Sequence, residues 1–286
     1  MAEGKVKTVP NSEVVDQIVA IKSNPDTDYG YKATTAALML LGFIINRKKV
    51  YRLMTEYQLL HEKRKIPKRN FVKYRRLDPK QPLEAIEIDI KYQWVNEHRR
   101  YAFIMTIIDC FTRKVLYWSV AYSIKKAQVI TAWQSVIVNY LQPHKMLEKP
   151  ITIEIRNDND SRFSAQEVQN YMAQNHLNQV FTHPYTPEEN GHIESFHAIL
   201  GRSLEKRQYN TITGLEKHLK HFYTTYNDVR LHGSLDHLSP TMFWKLWQKG
   251  QIKSTKRKNK ITKHQLTVPH YLLSGKGSPE GFFGCP

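Results

Sequence analysis

The apolar residues of the chain change their spacing at about Leu83, where single apolar and polar positions begin to alternate. Three runs rich in β-branched and aromatic residues follow one another across short turn-like pieces: EAIEIDIKYQWV, RRYAFIMTIIDC and KVLYWSVAYS. A period of two is typical of strands, and short connections favour antiparallel neighbours. The pattern therefore predicts a three-stranded antiparallel meander.

Helix and strand patterns alternate after the meander. Apolar residues recur at helical spacing from Lys126 to Leu141, ITIEI predicts a fourth strand, Ala165 to Asn175 a helix, and QVFT a short fifth strand. Helical patterns then continue to about Trp247. Three strands, a helix, a strand, a helix and a strand are the order of a ribonuclease H-like fold. Residues 83–247 are therefore expected to form an α/β core of this kind.

The amino-terminal part, residues 1–60, is predicted to be helical. Between residues 28 and 60 the pattern predicts two helices around a turn at Gly42 and Phe43, with Asn46 as the N-cap of the second helix. Four residues of that helix share one apolar face: Val50, Leu53, Met54 and Tyr57. Its basic residues point elsewhere: Arg47, Lys48, Lys49 and Arg52. This outline fits a helix-turn-helix with a basic recognition helix, or an ordinary helical hairpin with a solvated charged face.

Basic residues are concentrated in two further segments. Residues 61–82 are predicted to be an extended linker, whose cations include Lys68, Arg69, Arg75 and Arg76. Such a segment can follow a DNA backbone and release counterions, or it can be a solvated spacer without DNA contact. Residues 248–286 combine a second basic run with a Gly-, Ser- and Pro-rich end, so a loosely ordered tail is expected.

The overall charge narrows the choice of partner. The chain carries 43 Lys and Arg against 26 Asp and Glu, a formal net charge of +17 on 286 residues. A polyanion such as nucleic acid is the first candidate partner, although a basic ribosomal or chromatin component has the same composition. No apolar run is long enough for a membrane span, and only two cysteines are present, which argues against a disulfide framework. We therefore expect a cytoplasmic, nucleoid-associated bacterial protein without a membrane partner.

Three acidic residues stand at positions where they could meet. Asp89 shares one strand face with Glu87 and Lys91, opposite a row of isoleucines, and Asp158 follows the fourth strand, where α/β sheets bind ligands. Glu194 follows Ile193 at the edge of a helical apolar stripe. Taken singly, each fits a structural role: a solvated strand or helix face, or, for Asp158 and its neighbour Asp160, a turn or cap.

Taken together, the three acids predict a metal-dependent chemistry. Convergent carboxylates repel one another unless cations lie between them. Oxygen ligands suit Mg²⁺ or Mn²⁺, and two such ions can hold the attacking and the leaving oxygen of a phosphoryl transfer. A nuclease or a transesterase is therefore expected.

The motifs around these acids resemble the transposases of the insertion-sequence-three family, within the retroviral integrase superfamily. Thirty-five residues separate Asp158 from Glu194, as in the signature of that family. The resemblance rests on these segments: EIDIKY, IIDCFTRKV, RNDNDSRFSA, ENGHIESF, YNDVRLHGSLDHLSP, GYKATTAALMLLG and NRKKVYRLM. It implies an integrase catalytic core in which Asp89, Asp158 and Glu194 are the catalytic and metal-binding residues, with two Mg²⁺ or Mn²⁺ ions.

The resemblance also implies partners and some departures from the family. It implies strand cleavage at element ends followed by attack of the freed 3′-hydroxyl, on terminal-repeat and target DNA, by a homo-oligomer. The chain resembles a second-frame product, so an upstream-frame protein is an expected partner. Gly201 stands where relatives carry a DNA-contacting lysine, which makes Arg202 and His197 the candidates for that contact. Asp109 is expected to be structural, and Asp160 stands where relatives have glycine.

Two other functions remain open at this point. A catalytically silent DNA-binding regulator would keep the fold without turnover. A ribonuclease H-like nuclease would cut strands without joining them.

Overall fold

The computed structural model describes residues 7–24, 29–60, 77–149, 151–183, 187–256 and 262–273. Within them the chain forms eight helices: α1 Asn11–Ser23, α2 Tyr31–Leu40, α3 Arg47–Glu56, α4 Lys126–Val136, α5 Gln166–Gln174, α6 Gly191–Leu204, α7 Ile212–Thr224 and α8 Pro240–Gln248. Seven strands are described: β1 Ala85–Val95, β2 Arg100–Asp109, β3 Val115–Ala121, β4 Ile153–Asn157, β5 Leu177–Phe181, β6 Ile252–Lys256 and β7 Thr262–Leu266.

Two compact units make up the chain. One consists of residues 69–227, and the other combines residues 1–68 with residues 228–286. This division differs from the ranges expected from the sequence, since it ends the sheet-containing unit well before Trp247. The predicted linker cations Lys68, Arg69, Arg75 and Arg76 fall outside the described residues.

A mixed five-stranded sheet forms the centre of the unit 69–227. The strand order is β3-β2-β1-β4-β5, with β1, β2 and β3 antiparallel to one another and β1, β4 and β5 parallel. The expected meander and the expected ribonuclease H-like order are thereby confirmed. The helix predicted from Lys126 to Leu141 is regular only to Val136 and ends in a π-helical turn at Ile137–Leu141.

The two faces of β1 have different surroundings. Ile86, Ile88 and Ile90 are buried on one face. On the opposite face, the aromatic and aliphatic side chains of α6 and α7 pack against β2, in a cluster that contains Ile104, Phe196, Leu200, Phe222 and Tyr223. Burial of such side chains is the main stabilising contribution, at about 1.5–3 kcal/mol each. Helix α6 is thus held against the sheet face on which Asp89 lies.

Helices α1, α2 and α3 share an apolar cluster in the other unit. Val50, Leu53 and Met54 of α3 are buried there, and Leu231 from the carboxyl-terminal segment belongs to the same cluster. The Asn46 side chain accepts a hydrogen bond from the Lys48 amide at 2.8 Å, as expected of the N-cap. The expectation for Tyr57 is wrong: α3 ends at Glu56, the backbone turns left-handed at Gln58, and the Tyr57 ring is exposed.

The described part of the expected tail is not structureless. Strands β6 and β7 pair antiparallel as a hairpin, and the Leu266 amide donates to an Asp236 carboxylate oxygen at 2.9 Å. Periodicity did not reveal this hairpin because most of its residues are polar and exposed or half-exposed. Of the helices that the structure describes, none has the length and apolar character needed to cross a bilayer.

Candidate active site

The register between β1 and β4 brings the first two acids together. Glu87 on β1 is the parallel partner of Arg156 on β4. Asp89 follows Glu87 by two residues on β1, and Asp158 follows Arg156 by two residues and is the first residue after the end of β4. The two acids therefore both come shortly after this register pair, at the carboxyl end of β4. Burial raises the pKa of Asp158 above its usual range, and the negative charge of Asp89 adds to the rise. The negative charges of the two carboxylates therefore repel each other.

Helix α6 runs alongside β1 with a matching repeat. The Ile193 amide donates to Glu87 Oε2 at 2.6 Å, His197 Nδ1 lies 3.3 Å from Asp89 Oδ2, and Gly201 lies beside Lys91. Four residues of helix rise about 6 Å, which is close to the roughly 6.6 Å of two strand residues. Every fourth residue of α6, from Ile193 to Gly201, thus contacts every second residue of β1, from Glu87 to Lys91.

Glu194 lies in the first turn of α6, directly after Ile193 and three residues before His197. Glu194 therefore lies in the helical turn between Ile193, which contacts Glu87, and His197, which contacts Asp89. Its side chain is exposed. The structure thus places Glu194 on the helix that covers the Asp89 face of the sheet.

Asp160 and Arg162 frame the loop after β4. The Asp160 amide donates to Asp158 Oδ1 at 3.1 Å, and the Asp160 carboxylate forms a salt bridge with Arg162, which lowers the pKa of Asp160. Arg162 also donates to the Tyr92 hydroxyl at 3.0 Å and lies over the Phe103 ring. Asp160 is thereby paired within the loop, and its backbone orients Asp158.

A lysine from β1 fills the space beside Gly201. A Cβ atom at position 201 would lie 3.5 Å from Lys91 Nζ, which is an ordinary van der Waals distance, so this ammonium group lies directly beside Gly201. Lys91 follows Asp89 by two residues on the same strand face. Of the two candidates from sequence, Arg202 is exposed, whereas His197 is half-buried against Asp89. Sequence reasoning missed Lys91; the signal was its place on the Asp89 face.

A second group of potential ligands lies deeper in the same unit. Glu87, Cys110 and His192 each bring one ligand atom within 4.8 Å of the others. Burial raises the pKa of Glu87 to about 7, opposed by the Ile193 amide and by the positive charges of Arg113 and Arg156. Because one Glu87 oxygen already accepts the Ile193 N–H and two cations act on the same carboxylate, this group fits a helix-holding role better than a cation site.

Asp109 has the structural role expected of it. Its carboxylate accepts hydrogen bonds from the amides of Leu83 at 2.9 Å and Thr112 at 2.8 Å, and from the Thr112 hydroxyl. These bonds fasten the β2–β3 turn to the start of β1. Asp109 is completely buried, and burial raises its pKa.

The remaining DNA-binding candidates are at the surface or outside the described residues. On α3, Arg47, Lys48 and Arg52 are exposed and Lys49 is half-buried. These side chains are available to a partner, and their DNA contact stays a prediction.

The donor set at Asp89 and Asp158 fits a hard divalent cation. Both ligands are carboxylates, their charges repel each other, and Asp158 is partly desolvated, so a cation between them would relieve both costs. Within the described residues, the carboxylate oxygens of Asp89, Asp158 and Glu194 do not all lie within 4.8 Å of one another, so the role of Glu194 as a third ligand stays a prediction. This fit distinguishes the pair from the deeper group around Glu87.

The chain is similar in sequence to integrase core domains and to insertion-element proteins. Two family models, both described as integrase core domain, match residues 79–187 and 175–240. The chain is 23% identical over 201 residues to the "Insertion element IS476 uncharacterized 39.2 kDa protein" of Xanthomonas euvesicatoria, covering 70% of this chain and 55% of that protein. It is 23% identical over 217 residues to the "Insertion element IS407 uncharacterized 31.7 kDa protein" of Burkholderia multivorans, covering 75% of each. The chain thus spans about half the length of the first relative.

The chain is also similar to parts of several solved structures. A chain of the simian T-cell lymphotropic virus intasome in complex with PP2A regulatory subunit B56 gamma is 15% identical and covers 77% of this chain and 74% of its own length, with a TM-score of 0.49. The HTLV-2 integrase catalytic core domain in complex with magnesium, in its trimeric form, is 18% identical, covering 58% and 99%, with a TM-score of 0.42. The catalytic domain of Mos1 mariner transposase is 14% identical, covering 58% and 76%, with a TM-score of 0.43.

Proposed function

We propose that this chain, which integrase core domain models match over residues 79–187 and 175–240, is a DNA transposase of the retroviral integrase superfamily. The observation that supports this most directly is the β1–β4 register. The pairing of Glu87 with Arg156 supports a position of Asp89 near Asp158, and α6, the helix of Glu194, contacts Asp89 through His197. Such a group of carboxylates serves phosphoryl transfer, where positioning and charge stabilisation do most of the work.

The proposed reaction has two steps. Hydrolysis breaks a phosphodiester bond at the end of the element and leaves a free 3′-hydroxyl. The oxygen of that hydroxyl then attacks a target phosphodiester, so that a new strand junction forms as a target 3′-hydroxyl departs. Mg²⁺ or Mn²⁺, proposed as two ions, would supply positive charge at the scissile phosphate when bound.

The side chains divide this work among themselves. Asp89 and Asp158 would hold the cations, and Glu194 would complete the ligand set from α6. The Asp160 amide orients Asp158 through its hydrogen bond. His197 faces the Asp89 carboxylate, where it limits the orientations that Asp89 can take.

Charge brings the DNA to this site. Lys91 presents its ammonium group on the strand face of Asp89, and Arg202 is exposed near the end of α6. We propose that both contact phosphates next to the scissile bond, and that Arg47, Lys48, Lys49 and Arg52 bind element ends as part of a helix-turn-helix. The net charge of +17 favours encounter with any duplex.

We base the proposed assignment to one transposase family on the sequence motifs around the three acids. The 35 residues between Asp158 and Glu194 and the ordered motifs around them support the insertion-sequence-three family. Membership implies action on the bacterial nucleoid by a homo-oligomer assembled on DNA, with an upstream-frame protein as a further partner. These partners are part of the proposal.

A strand-transfer assay tests the function. The full chain is incubated with Mg²⁺, labelled duplexes taken from the DNA that flanks its coding sequence, and an unlabelled target duplex. Cleaved and joined products are expected. Cleavage without joining would select the nuclease, and specific binding without cleavage would select the silent regulator.

A further inference from the structure

Two buried charged residues lie directly behind the strand acids. Glu87 and Arg156 are register partners on β1 and β4, and each precedes its acid, Asp89 or Asp158, by two residues. Both residues are almost completely buried, with 1% and 2% of their surface exposed. Buried charges are costly unless they are paired and hydrogen-bonded, so their partners indicate what they do.

Both residues hold the segment that leads into Glu194. Glu87 Oε2 accepts the Ile193 N–H at 2.6 Å. Arg156 forms an ion pair with Glu154 of its own strand at 2.7 Å and also donates to the Glu189 carbonyl oxygen at 2.9 Å. The Glu189 carboxylate in turn accepts the His183 N–H at 3.0 Å. The residue before Glu194 and the residue five before it are therefore attached to the two strands that carry the other acids.

The side chain that caps the amino-terminal end of α6 comes from strand β1 and not from the residue before the helix. Ile193 is the third residue of the helix, and its N–H is one that an N-cap side chain commonly accepts. The N-cap here is Asn190, which makes no such side-chain hydrogen bond within the described residues. A carboxylate from β1 takes its place. A local cap would satisfy the same N–H without linking the helix to the sheet.

We propose that Glu87 and Arg156 are positioning residues that fix the start of α6, and with it Glu194, relative to Asp89 and Asp158. Because α6 and β1 have matching repeats, the positions of Glu194 and His197 are sensitive to a shift of α6 along β1. A shift of α6 by one residue turns each side chain by about 100°, which would carry Glu194 and His197 away from their present places. The contact at Ile193 determines which helix residue lies beside Asp89. This inference rests on the proposed function, since it gives the three acids a common task.

The test uses the full-length protein without DNA and compares variants that keep or remove each hydrogen bond. Glu87→Gln keeps an oxygen acceptor for the Ile193 N–H, whereas Glu87→Met has a similar length and no acceptor. Arg156→Met removes the donor on the other strand. Asp109→Asn is the matched control, because it alters another buried carboxylate of the same sheet whose hydrogen bonds go to the β2–β3 turn.

Two quantities are measured: the dissociation constant of Mn²⁺ by calorimetry, and hydrogen exchange of the amides in residues 187–197. We expect Glu87→Met and Arg156→Met to weaken Mn²⁺ binding at least tenfold and to speed exchange at the start of α6. Glu87→Gln should stay within about threefold of the wild type in both. Asp109→Asn should lower the melting temperature and leave the Mn²⁺ constant unchanged.

The outcomes separate this inference from the proposed function. Wild-type Mn²⁺ affinity and wild-type exchange in a folded Glu87→Met protein would overturn the inference, even if the wild type transfers strands. If Glu87→Met does not fold, Arg156→Met decides by the same two criteria. A wild type that binds Mn²⁺ and shows the expected variant pattern, yet neither cuts nor joins DNA, would overturn the proposed function and support the inference.

Discussion

At the scale of single residues, the site depends on where a few charges are placed. Asp89 and Asp158 are brought together by strand pairing, while Glu194 depends on the position of a helix. Strand pairing is set by many backbone hydrogen bonds and tolerates side-chain changes. The helix position relies on fewer bonds. Glu194 should therefore be the acid most sensitive to changes elsewhere in the unit.

Glu194→Gln is expected to reduce strand cleavage by at least a hundredfold while DNA binding stays within about threefold. The amide has the shape of the carboxylate but lacks the charge that holds a cation. Cleavage is measured in Mg²⁺ and binding by mobility shift. Glu216→Gln, at an exposed position of α7, is the control and should cleave normally. Full cleavage by the Glu194 variant would refute its assignment as a catalytic acid.

Lys91→Met should weaken binding of DNA ends and reduce the slope of log affinity against log salt by about one, because one phosphate contact is lost. Its ammonium group lies on the Asp89 strand face beside Gly201. Lys220→Met, an exposed lysine on α7, is the comparison and should change both quantities less. Equal effects of the two changes would mean that Lys91 contributes only general charge.

At the scale of secondary-structure elements, α3 is the segment whose proposed role can be separated from the chemistry. Its buried residues hold it in the helical cluster, and its basic residues are directed outward. Arg can pair bidentately with guanine in the major groove, and each lost pair costs about 1–3 kcal/mol of discrimination. A recognition helix and a solvated helix therefore differ in what their arginines do.

Arg47→Ala and Arg52→Ala are expected to lower affinity for element ends more than for random duplexes. Lys256→Ala, on the β6 strand, should lower affinity for both alike. Titrations of specific and random duplexes at several salt concentrations measure the difference. If only the Lys256 variant loses discrimination, sequence recognition lies in the carboxyl-terminal hairpin and not in α3.

Element types were predictable here where one face of an element is buried. Alternation in EAIEIDIKY and the stripe at Ile193, Phe196, Leu200 and Leu204 gave β1 and α6 because apolar residues face a core at regular spacing. The β6–β7 hairpin has little apolar pattern, so only its backbone pairing reveals it. Glu87 and Arg156 resemble solvated strand residues in sequence. Both contact α6 or the turn just before it, which are distant along the chain.

At the scale of the whole molecule, one compact unit is built from two separate segments of the chain, residues 1–68 and 228–286. Tyr29 shows this directly, because its hydroxyl accepts the Leu231 N–H at 2.8 Å and donates to the Val229 carbonyl at 3.3 Å. The two bonds join segments about two hundred residues apart within one unit. Long connections of this kind raise the entropy cost of folding only slowly with their length.

Tyr29→Phe should lower the free energy of unfolding of this unit by about 1–3 kcal/mol, because the buried Leu231 N–H loses its acceptor. Burial raises the pKa of Tyr29 to about 12, from an ordinary value of 10. The unfolded chain therefore releases this proton first, and the wild type should lose stability as the pH rises from 10 to 12. Denaturant unfolding at several pH values should show a shallower loss for the variant. Parallel curves would contradict the assignment.

The divided unit also determines the order in which a ribosome can complete this protein. Helices α1, α2 and α3 emerge first, yet Leu231, which closes their apolar cluster, and the partner of Tyr29 are translated only after the segment bearing all three acids. During synthesis, part of the apolar surface of α1, α2 and α3 stays exposed until Leu231 has been translated. By then, all five strands of the sheet in residues 69–227 have been translated. The segment proposed to cut DNA can thus reach its fold before the segment proposed to choose which DNA is cut.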